Sequence, residues 1–119
     1  MPHLTIEYSA NLHGLPEEQL LERLNAAVCS HPTILEEADL KARIAALPRY
    51  RIGLHPENRA FVHAELRLMA GRAPEVKKEL SDRIAAVLQA TVPQPEGVVV
   101  QLSVDIADMD RNSYFKGKL

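Results

Sequence analysis

Pro2-His3-Leu4-Thr5-Ile6-Glu7-Tyr8 begins the chain as a strand. Leu4, Ile6 and Tyr8 alternate with His3, Thr5 and Glu7, the period of two expected for a strand with unlike faces. Proline has no N–H to give to a ladder, yet it is tolerated at a strand's first position. Next to Met1 it has a second property. Loss of Met1 would change the Pro2 nitrogen from a non-basic amide into a free secondary amine, a base fixed at the end of a rigid element.

The residues that follow repeat this plan. Ser9 to Gly14 is a polar loop, and Pro16 then sits as a first helical residue with Glu17 and Glu18 in the first turn. Leu20, Leu21, Leu24, Ala27 and Val28 form one apolar helical face, and His31-Pro32 ends the helix. Residues 40–46 are expected as a second strand, although alanine is a poor strand former. Arg49 to Gly53 alternates and is expected as a short edge strand, and His55-Pro56-Glu57-Asn58 has turn chemistry. Ala60 to Leu68 is a strand. Pro74 opens a second helix with Val76, Leu80, Ile84, Val87 and Leu88 on one stripe, and Val98 to Ile106 is a strand.

The chain is thus one domain, residues 1–119, built as a duplicated strand–helix–strand. Its pseudo-repeats run about 2–47 and 60–107, followed by a polar tail, 108–119, that carries two aromatics. A shift of 59 sets Leu21 on Leu80 and Ala26-Ala27-Val28 on Ala85-Ala86-Val87. Each βαβ unit favours parallel pairing. Two units give an α/β (α+β) fold, a four-stranded sheet with both helices on one face. A ferredoxin-like regulatory module, with antiparallel pairing inside each half, is the competing strand order. The uncovered face, together with apolar residues such as Val98 to Val100, predicts an oligomer packed sheet against sheet.

Composition narrows the function classes. The 119 residues carry 14 basic and 16 acidic side chains, a formal charge of −2, so nothing points to nucleic acid or a membrane surface. The single Cys29 excludes an internal disulfide and a cysteine-built metal cluster. No run reaches the length of a membrane span, and no secretory signal opens the chain, so a cytoplasmic protein is expected. Neither metal-ligand spacing nor a phosphate-cradling glycine pattern nor a nucleophile elbow is present, so no cofactor is expected.

Pro2-His3, the strand ending Ile6-Glu7, Ala60-Phe61-Val62-His63, Ala70-Gly71-Arg72 and the tail from Asn112 to Phe115-Lys116 resemble 5-carboxymethyl-2-hydroxymuconate isomerase. That family belongs to the tautomerase superfamily, with 4-oxalocrotonate tautomerase and macrophage migration inhibitory factor as relatives. The resemblance implies a MIF-like homotrimer with a catalytic amino-terminal proline, here Pro2. It implies isomerisation of an unsaturated 2-oxo or 2-hydroxy di- or tricarboxylic acid in aromatic (homoprotocatechuate) catabolism. It carries a substrate-binding arginine to Arg72. A second family arginine falls at Lys41, with Arg43 two residues on and on the same face, and Phe115 in the tail joins the substrate-binding candidates.

Those residue types suit the chemistry. Moving a double bond beside a carbonyl needs one proton taken, one returned, and the enolate charge held between. A base works best with a pKa near the operating pH, and burial beside a guanidinium lowers that of an amine. Arg72, with Lys41 or Arg43, would supply that field and bind carboxylates. His63 and His3 are expected as hydrogen-bonded core histidines, and His13, His31 and His55 as loop residues. Cys29 is expected to be a small core residue. If Met1 is retained, Pro2 stays an amide. The alternative is then a non-catalytic trimer of the same fold that binds a small carboxylate or a protein partner.

Overall fold

The computed structural model describes residues 1–55 and 57–119, so Pro56 of the expected turn lies outside the described residues. In chain order the elements are β1 (His3–Ser9), α1 (Glu17–Cys29), a 3-10 turn (Glu37–Asp39), β2 (Lys41–Leu47), β3 (Arg59–Met69), α2 (Pro74–Thr91) and β4 (Val99–Met109). The sheet runs β2-β1-β3-β4. Pairing is parallel inside each half (β1 with β2, β3 with β4) and antiparallel where β1 meets β3. The parallel halves rule out the ferredoxin-like order.

Local chemistry explains the element ends. Pro74 stands at the start of α2, where its missing N–H costs nothing. Pro16 caps α1 from one residue outside, and its carbonyl accepts the first helical bond from Leu20 N–H at 2.8 Å. The alanine-rich β2 forms despite weak propensity because β1 pairs along its whole length. Arg49 to Gly53 does not become a strand. Arg59 instead donates from Nη1 to the Ile52 carbonyl at 3.0 Å, and Tyr50 packs edge-on against Phe61 with centroids 6.2 Å apart. The Ile52 carbonyl is thus engaged by a side chain, and residues 49–53 join no ladder.

Both helices cover one face of the sheet. Leu4 and Ile6 from β1, Val62 and Leu66 from β3, Leu20, Leu24 and Val28 from α1, and Leu80, Ile84 and Leu88 from α2 are fully buried there. Each such side chain contributes roughly 1.5–3 kcal/mol relative to an exposed one. This burial fixes the register of the repeat. Leu20, Leu24 and Val28 correspond to Leu80, Ile84 and Leu88 at a shift of 60, not 59. An odd shift would put Leu4 on His63, on the opposite side of the pleat; the even one puts it on Ala64, which is buried with it. The Ala-Ala-Val match is a local coincidence of helix composition.

The uncovered face is more polar than the strand composition suggested. His3, Thr5 and Glu7 of β1 stand there in register with Arg67, Glu65 and His63 of β3. Of the valines singled out, Val99 is 65% exposed, while Val98 and Val100 pack against the core. His63 and His3 are on this open face and not in the core. His63 bonds Ser103 Oγ at 2.6 Å through Nδ1. Cys29 is half-buried against the core edge, as a small apolar residue would be.

Candidate active site

The start of β1 sets the site. Pro2 is buried, and its carbonyl accepts from the Lys41 N–H at 3.2 Å, which ties the chain start to the head of β2. Above it lies a hollow of about 280 Å³ whose walls include Pro2, Thr33, Ile34, Asp39, Arg72 and Lys116. Three segments far apart in sequence meet there: the link after α1, the turn between β3 and α2, and the tail.

Arg72 is held firmly. Gly71 has φ +125°, a conformation L-residues rarely adopt, and this turns the chain so that Arg72 faces back to the hollow. Its Nε donates to Thr33 Oγ1 at 2.8 Å, its Nη1 to the Met69 carbonyl at 3.2 Å and its Nη2 to the Thr33 carbonyl at 3.3 Å. One N–H on each terminal nitrogen remains, enough for a forked grip on a carboxylate. Burial, then the neighbouring Arg111, lower the pKa of Arg72, with Asp108 opposing.

Thr33 is itself fixed by His31. The Thr33 N–H donates to His31 Nδ1 at 3.0 Å, so the ring proton lies on Nε2, which donates to the Glu79 carboxylate at 2.6 Å. His31 is 4% exposed, so it is a buried brace and not the plain loop residue its position beside Pro32 suggested. Helix-stop chemistry gave no hint of it, because the partner is on α2.

The amine end of the chain lies in a positive field. In this structure the terminal nitrogen belongs to Met1. Its pKa is lowered by burial first, then by Lys116, Lys41 and Arg72, with Asp39 pulling the other way. Lys41 donates to Met1 Sδ at 3.1 Å and to the Asp39 carbonyl, so it stands at the rim. Lys116 pairs with Asp39 at 3.5 Å.

The candidates therefore divide. Pro2 and Arg72 share the hollow, with Lys41 at its edge. Arg43 does not line it. That side chain lies on the open sheet face in a separate hollow of about 360 Å³ with His3, Arg67 and Tyr114, and it donates to His3 Nδ1 at 3.3 Å. Phe115 is 88% exposed and lines neither hollow within one protomer. Thr33, Asp39 and Lys116 were not among the candidates; only the tail's place in the resemblance hinted at Lys116. Among the described residues no group of three or more His, Cys, Asp or Glu is placed to hold a metal ion. None of the described helices is long and apolar enough to cross a membrane.

The family model for 5-carboxymethyl-2-hydroxymuconate isomerase matches residues 2–118. The chain belongs to that family. A 5-carboxymethyl-2-hydroxymuconate isomerase from Deinococcus radiodurans R1 is 33% identical with a TM-score of 0.85, covering 99% of this chain and 90% of its own. A 5-carboxymethyl-2-hydroxymuconate delta-isomerase is 21% identical with a TM-score of 0.84, covering 100% and 88%. A wild-type fused 4-OT, described as an asymmetric trimer, is 19% identical with a TM-score of 0.73, covering 97% and 92%. A search of curated proteins returned no match. As a 5-carboxymethyl-2-hydroxymuconate isomerase family member with the tautomerase fold, the protein is an isomerase.

Proposed function

We propose that the protein moves a double bond in an unsaturated 2-oxo or 2-hydroxy di- or tricarboxylic acid of the 5-carboxymethyl-2-hydroxymuconate kind. The Pro2 amine, freed by loss of Met1, is the general base. Pro2 takes a proton from the substrate, Arg72 holds a carboxylate and the dienolate charge, and Pro2 returns the proton one carbon pair away. The balance closes without a co-reactant. The reaction belongs to aromatic (homoprotocatechuate) catabolism in the cytoplasm, and the working form is a homotrimer. Arg43 and Phe115, which do not line the Pro2 hollow within one protomer, would then serve a neighbouring subunit's site.

The observation that carries this reading is the hollow in which a buried chain-start proline meets a triply anchored arginine. The ketonisation rate of 5-carboxymethyl-2-hydroxymuconate, measured on Met1-free protein and on Pro2→Ala, tests it. Loss of about 10²-fold or more is expected from removing a general base. An undiminished rate removes Pro2 from the mechanism.

A further inference from the structure

The tail from Asp110 onward is tied down at three places: at the turn that carries Arg72, on the open sheet face beside His3, and at the Pro2 hollow. Arg111 Nε donates to the Ala70 carbonyl at 2.8 Å, so the tail holds the turn that presents Arg72. The Tyr114 hydroxyl meets His3 Nε2 at 2.8 Å. Arg43 occupies the other ring nitrogen of His3 as a donor, so Nε2–H is the donor to Tyr114. Beyond Tyr114 the tail crosses to the Pro2 side, where Lys116 lines the hollow and pairs with Asp39 at 3.5 Å.

We propose that this tail is a strap that seats Lys116 as the second cation of the Pro2 hollow, so that the site selects substrates with two or more carboxylates. The inference rests on the isomerase reading above and assigns the substrate's second carboxylate to Lys116. One carboxylate takes the free fork of Arg72. Within one protomer, the second cation that lines the same walls is Lys116, placed to take the other carboxylate. Lys41 stands outside those walls, its ammonium donating to the Asp39 carbonyl at the rim. Asp39 holds Lys116 over the hollow until a substrate carboxylate competes for it. As a flexible point charge, lysine suits a carboxylate whose position varies between substrates.

The experiment compares three substrates with one, two and three carboxylates: 2-hydroxypenta-2,4-dienoate, 2-hydroxymuconate and 5-carboxymethyl-2-hydroxymuconate. Lys116→Met should raise KM about tenfold for the last two, with kcat within about twofold and the monoacid unaffected, the pattern of lost uniform binding. Tyr114→Phe should shift the same KM values in the same direction by a smaller factor. An unaltered KM for the diacid, or an equal rise for all three substrates, overturns the proposal. Titration of 2-oxoadipate into Pro2→Ala protein, with and without Lys116→Met, reads the same contact without turnover. Weaker binding there supports the Lys116 contact even if Pro2 is not the base, and equal binding refutes it.

Discussion

Arg72 differs from an ordinary surface arginine in what it leans on. Three of its N–H groups are spent on Thr33 and Met69, so the guanidinium is held at the hollow before any substrate arrives. Pre-organisation of this kind raises affinity by avoiding the entropy of ordering a long side chain at binding. The terminal amine shows the complementary effect. On Met1, burial and the cations Lys116, Lys41 and Arg72 disfavour the protonated amine, while Asp39 favours it. A depressed pKa leaves the amine free at lower pH than usual. With Met1 lost, the Pro2 amine would meet the same cations, so the acid limb of kcat/KM is expected below the ordinary α-amino range of about 7.7–8.0. Asp39→Asn should move that limb to lower pH. A limb that ignores this substitution would show that the titrating group is elsewhere.

The elements explain why a short chain can hold these residues in place. The turn between β3 and α2 is the most demanding, because Gly71 at φ +125° carries both Arg72 and the contact with Arg111. A Cβ there would sit 3.7 Å from an Arg111 terminal nitrogen, ordinary contact, so the cost of Gly71→Ala comes from the backbone. That cost should be about 1–3 kcal/mol in urea denaturation, with a raised KM as Arg72 swings away. Wild-type stability and KM would show that the turn tolerates another conformation. The elements were largely legible in the sequence. Alternation in Leu4 to Tyr8 and the stripe Leu80, Ile84, Leu88 identified buried faces because burial writes a period into the chain. Arg49 to Gly53 misled because alternation reports a strand's faces and not whether a partner strand is free. The shift of 59 misled because identical residues on a helix do not fix the pleat of a strand.

In the whole molecule, the contacts that make the site are the ones a linear reading misses. Pro2 and Arg72 were candidates because proline beside Met1 is a local signal and Ala-Gly-Arg is part of the family resemblance. Lys116, Asp39 and Thr33 reach the hollow only through tertiary structure, from the tail, the turn before β2 and the link after α1. The protomer's shape points to assembly. Its radius of gyration is 15.3 Å, against about 13–14 Å for a compact chain of this length. Leu54 and Val99 are 84% and 65% exposed. A homotrimer that covers them should scatter light at three times the chain mass, and a monomer at working concentration would contradict it. The proposed chemistry, however, depends on a single nitrogen. Specific activity toward 5-carboxymethyl-2-hydroxymuconate should be measured across preparations whose Met1-free fraction is read by intact mass spectrometry. Activity proportional to that fraction, vanishing when Met1 is fully retained, is the expected result; equal activity in fully Met1-bearing chains would contradict the Pro2 amine as the base.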